Sequence, residues 1–138
     1  MRILKKCIAI VLIIGLTLCL VCCGERYAAY DSFTPAGVFI VDCLNGVQYE
    51  TDIDDADFAD KMLSAFKKLD IDTTTEGEIG TAYLYMEFYD EDKSTLLIFT
   101  IYDNGSCCLG REYEEFYTVE DGRQKYIDLC EFYEAYDD

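Results

Sequence analysis

Four cysteines, Cys43, Cys107, Cys108 and Cys130, could form cross-links. In oxidising surroundings four thiols allow three pairings. Adjacent residues of a strand point to opposite faces, so Cys107 and Cys108 cannot easily serve one purpose. Leu109 shares the face of Cys107, and Cys130 falls in the helical spacing Tyr126, Leu129, Cys130, Tyr133, Tyr136. A Cys107–Cys130 bridge is therefore the candidate disulfide. It would staple a helix to a sheet and contribute about 2–4 kcal/mol if unstrained. The alternative is a set of buried free thiols, which pack as small hydrophobes. The chain has no His and no Cys-x₂-Cys pair, which argues against a zinc site. Thiol catalysis is disfavoured too, because no His or local cationic cluster would generate a thiolate. No cofactor and no metal are expected.

Carboxylates gather at Asp52-x-Asp54-Asp55-x-Asp57 and at Asp90-Glu91-Asp92. Calcium takes such hard oxygen ligands, but Ala56 stands where an EF-hand needs its third ligand and the glycine at the sixth position is missing. Helix capping and solvated turns account for both runs. Paired carboxylates for glycoside hydrolysis have no distinguishing spacing here. Tyr83, Tyr85 and Tyr89 are the more suggestive set. They alternate with Leu84, Met86 and Phe88, so a strand puts the tyrosines on the opposite face. Tyr gives large contact area at little entropic cost, which suits a binding face. The competing reading is that the tyrosines only shield the sheet, or that the first strands or the tether fold over them.

The elements that must position these groups follow from periodicity. Val38–Val41 reads as a strand, with Asn45-Gly46 a two-residue hairpin turn into residues 47–51. A helix over about 55–69 has Asp54 as its expected N-cap, Asp57 at N3, and Phe58, Met62, Phe66 and Leu69 as its apolar stripe. Residues 70–80 are polar and read as a loop. Strands follow at 82–89, 96–102, 107–109 and 113–118, the second apolar on both faces as a central strand should be. A helix from Glu120 ends the chain. The order predicts an α+β two-layer domain: an antiparallel sheet of about five to six strands with two helices packed on one face.

Charge divides the chain of 138 residues unevenly. Residues 1–22 hold three basic residues, no acidic ones and 17 apolar ones, whereas the 116 residues from Cys23 onward carry a net charge of −20 and all twenty aromatics. An aromatic content this high argues against disorder. The acidity argues against nucleic-acid binding, which needs a Lys/Arg footprint on phosphate. Arg2, Lys5 and Lys6 precede a 15-residue apolar run from Cys7 to Val21. That is the length of an export signal's apolar region, whereas a spanning helix needs about 20 residues. The run ends Leu20-Val21-Cys22-Cys23, which resembles the lipobox of bacterial lipoproteins; Cys22 stands where that family usually has Gly, Ala or Ser. The resemblance covers only the leader. It implies cleavage before Cys23, a diacylglycerol (palmitate-type) anchor on Cys23, and a location on the extracytoplasmic side of the cell membrane.

Three segments result: a signal peptide over 1–22, a lipidated N-terminus and tether over 23–35, and one α+β domain over 36–138. The functional expectation is a non-catalytic domain that binds a basic protein or ligand. The alternative is a small extracytoplasmic hydrolase acting through carboxylates, with or without Ca²⁺.

Overall fold

Asn45 and Gly46 set the first corner of the chain. Both have positive φ, 54° and 78°, the pair of values that a type I′ turn requires. That turn joins β1 (Gly37–Leu44) to β2 (Val47–Ile53) with an unbroken antiparallel register from Leu44↔Val47 to Val38↔Ile53. The computed structural model describes residues 34–110 and 115–137. The leader, Cys23 and the tether up to residue 33 lie outside the described residues. Thr34–Asp138 forms one compact unit.

The helix that follows is α1 (Ala56–Lys67). Its N-cap is Asp55, one residue later than the sequence suggests, because Asp55 Oδ1 accepts from both Asp57 N (3.0 Å) and Phe58 N (3.1 Å). The Phe58 amide comes first among the groups that hold the Asp55 carboxyl below its ordinary pKa. β4 (Tyr83–Tyr89), β5 (Thr95–Tyr102), β6 (Ser106–Leu109) and β7 (Phe116–Val119) then build an antiparallel meander, and α2 (Gly122–Asp137) closes the chain.

With β3 spanning Ile71–Glu76, the described residues form one sheet of seven strands in the order β2-β1-β4-β5-β6-β7-β3, all paired antiparallel. An α+β domain on one antiparallel sheet is therefore correct, and the expected count of five to six strands is too low. The missed strand is β3 (Ile71–Glu76), which lies in the segment read as a loop and pairs with β7. All of its residues but Ile71 are exposed, so it has no alternation of burial to betray it. Asp72 explains its irregular register. Its carboxylate accepts from Thr74 N (2.8 Å), Thr74 Oγ1 (2.6 Å) and Thr75 Oγ1 (2.7 Å), curling the strand where pairing shifts between Asp72 and Glu76.

Register defines the two faces of the sheet. Val38 and Ile40, Leu84, Met86 and Phe88, and Leu97, Phe99 and Ile101 share one face, and all of them are buried. Phe66 of α1 meets Phe99 with ring centroids 4.5 Å apart, and Tyr133 of α2 shares a 2.8 Å hydrogen bond with Thr51 of β2. Phe99 and Thr51 both belong to that face. β5 holds the fourth of seven places, and its residues Leu97–Tyr102 are buried on both sides, as its unbroken apolar run suggests.

Candidate functional site

The other face carries the tyrosines. Alternation along β4 sends Tyr83, Tyr85, Glu87 and Tyr89 there, beside Phe39, Val41 and Cys43 of β1 and Ile98, Thr100 and Tyr102 of β5. β6 and β7 add Cys108 and Phe116. The three tyrosines singled out by sequence share this face but not one environment. Tyr83 and Tyr85 are half-buried, while Tyr89 is only 5% exposed.

Tyr89 is fixed by a polar cluster. Its hydroxyl donates to Asp52 Oδ1 (2.6 Å) and accepts from Lys93 Nζ (2.9 Å), and that ammonium lies 4.0 Å from the ring centroid. Lys93 Nζ also stands 3.7 Å from Asp52 and 3.6 Å from Asp54. Burial raises the Tyr89 pKa, with the hydrogen bond to Asp52 adding to it, and the hydrogen bond to Tyr89 raises that of Lys93. A phenol and an ammonium both held in their protonated forms lack the character of a base or nucleophile near neutral pH.

The carboxylate runs are engaged in local structure. Asp57 pairs with Lys61 at 2.6 Å, and Asp90 Oδ1 accepts from the amides of Asp92 and Ser94, both at 2.9 Å, to shape its turn. Among the described residues, no group of three or more Cys, Asp or Glu is placed to hold a metal ion. On the face itself, Tyr85 donates to Glu87 Oε2 at 2.8 Å, and Thr95 Oγ1 also bonds Glu87. Gln48 of β2 donates to the Tyr83 hydroxyl, joining the outer strand to the tyrosine row.

Sequence reasoning overlooked two aromatic members. Tyr102 packs edge-on against Tyr83 with centroids 5.9 Å apart, and Phe116 lies 6.0 Å from Tyr102. Tyr102 ends a run apolar on both faces, which hid its direction. A count of two from Ile98 through Thr100 to Tyr102 would have revealed it.

No protein-family model, curated protein or solved structure matches the chain. Among the described residues, no helix is long and apolar enough to cross a membrane.

Cys43, Cys107, Cys108 and Cys130 are all free thiols in the structure. Register separates the adjacent pair as expected. Cys107 stands opposite Ile101 and Tyr117, whereas Cys108 stands opposite Thr100 and Phe116. Thr100, 1% exposed on the tyrosine face, has the one buried side-chain oxygen without a hydrogen-bond partner among the described residues. An unsatisfied buried hydroxyl costs roughly 1–3 kcal/mol. Replacing Thr100 with Val, which has the same shape and no hydroxyl, should therefore raise the urea unfolding midpoint. A lower midpoint would mean that the hydroxyl has a partner in solution.

Proposed function

We propose that this chain is a lipid-anchored, extracytoplasmic, non-catalytic domain that binds a basic partner through the tyrosine-bearing sheet face and its acidic rim. In this reading α1 and α2 both cover the Leu84–Met86–Phe88 face, and the partner meets the opposite one at its partly exposed residues Tyr83, Tyr85 and Phe116. One observation carries it: the register collects the partly exposed Tyr83, Tyr85 and Phe116 on the face opposite Phe99, which the Phe66 ring of α1 meets, and Thr51, which shares a hydrogen bond with Tyr133 of α2. Glu87 and the exposed Glu50 and Asp52 supply negative charge beside Tyr83 and Tyr85. Tyrosine with an acidic border suits a cationic partner, whose approach the −20 charge from Cys23 onward would steer. The lipobox-like Leu20-Val21-Cys22-Cys23 supports the anchor.

The test uses the full chain in its own membrane. A photo-crosslinking residue in place of Tyr85 should give a discrete adduct, whose yield falls as salt rises and the Debye length shrinks from about 10 Å at 0.1 M to about 3 Å at 1 M. The same residue in place of exposed Ser64 on α1 should not give that adduct. Equal adducts from both positions, or none from position 85, would defeat the binding face. Cys23→Ser should abolish incorporation of labelled fatty acid, and persistent labelling would remove Cys23 as the acceptor.

A further inference from the structure

The two edges of this sheet are finished differently. At the β3 edge, Asp72 gathers Thr74 and Thr75 onto its carboxylate and breaks the register. Such a bulge discourages further strand pairing. The β2 edge has no such device. It is seven residues long, its register against β1 is regular throughout, and it contains no Pro and no Lys. Among the described residues, no strand pairs with its outer side.

The turn fixes which of its backbone groups are free. In a two-residue hairpin the residues flanking the loop exchange hydrogen bonds, and the pattern then alternates. Leu44↔Val47, Asp42↔Tyr49 and Ile40↔Thr51 are therefore the bonded pairs, and Gln48, Glu50 and Asp52 aim their N–H and C=O groups away from the sheet. The side chains of Gln48, Glu50 and Asp52 lie on the tyrosine face. Val47 and Tyr49 project from the other face and are 51% and 61% exposed, next to exposed Leu44. An incoming strand would thus meet carboxylates on one side and apolar groups on the other. Asp52 already shares Lys93, but Glu50 has no ion pair among the described residues.

We infer that β2 is a docking edge for an extended segment of a basic partner, added as an eighth strand with Lys or Arg facing Glu50 and Asp52 and apolar residues beside Val47 and Tyr49. This deepens the function proposed above and rests on it for the partner's charge. Strand addition draws affinity from main-chain hydrogen bonds and specificity from alternate side chains. The hydrogen bond from Gln48 to Tyr83 makes the edge continuous with the tyrosine face.

A capped heptapeptide alternating Lys and Val is the probe, titrated against the full chain in nanodiscs of neutral phosphatidylcholine. Binding should slow hydrogen exchange at the amides of Gln48, Glu50 and Asp52 and leave the inward-facing Thr51 amide unchanged. Glu50→Pro deletes one outward N–H and one charge without removing a bond to β1, so it should weaken binding by about tenfold or more. Gln48→Pro deletes another outward N–H and serves as a second variant if the first fails to fold. A peptide with Glu in place of Lys should not bind. If the Lys peptide bound with no protection of β2, or bound both Pro variants unchanged, the edge would be wrong while the basic-partner reading stood. Equal binding by the Glu peptide would overturn that reading as well.

Discussion

Phe99→Ala should cost about 3–5 kcal/mol, a large share of the 5–15 kcal/mol that typically separates a folded domain from its unfolded chain. Phe99 is fully buried on the central strand, faces Met86 across β4 and Leu109 across β6, and takes the Phe66 ring of α1 at 4.5 Å. Removing its ring takes contacts from both the sheet and α1, and strands hydrogen-bonded on both sides cannot easily close the gap. The expected readout in chemical denaturation is a lower midpoint with an unchanged slope. Ile79→Ala is the control, because Ile79 is 67% exposed and its loss should stay within about 0.5 kcal/mol. A comparable loss from both variants would mean that the core does not centre on β5.

Cys107 should resist alkylation in the native state by about a thousandfold. Burial, with a smaller contribution from neighbouring Cys108, pushes its pKa from 9.0 up to about 12, and the thiolate is the species that reacts. Burial likewise raises Cys130 to about 11, so Cys130 should react before Cys107. The same shift makes stability depend on pH. A thiol whose folded pKa lies above its unfolded value contributes stability that is complete below about pH 9 and is lost as pH rises through 12. The domain should therefore unfold in alkali, with Cys107 labelling rising alongside the loss of structure. The candidate Cys107–Cys130 bridge has its own readout. Without reductant, an unfolded chain with all four of these thiols alkylated has no bridge; one in which Cys107 and Cys130 alone stay unlabelled has it.

Periodicity made the middle of this fold legible. The alternation over Tyr83–Tyr89 and the apolar run ending at Tyr102 predicted a half-covered strand beside a doubly covered one, and register pairs them directly. Asn45-Gly46 announced its hairpin because few other dipeptides accept two positive φ values. Strand β3 was illegible because an exposed edge needs no apolar alternation, and Thr73, Thr74 and Thr75 look like a polar loop. The N-cap slipped by one because Asp54 and Asp55 are chemically alike, and only geometry decides which carboxylate reaches the amides. At the site, the sequence revealed that Tyr83, Tyr85 and Tyr89 share a face. It could not reveal that Asp52 and Lys93, 37 and 4 residues from Tyr89, tie that third hydroxyl down.

The place of β1 in the strand order has a mechanical consequence. Thr34 leads almost directly into β1, which is hydrogen-bonded to β2 on one side and to β4 on the other. A force applied at Thr34 in line with β1 would pull that strand along its own axis. Both ladders would then be strained together in shear, rather than opened one bond at a time as at a peeling edge. A domain joined to an anchor through its first strand would thus meet drag with its most resistant geometry.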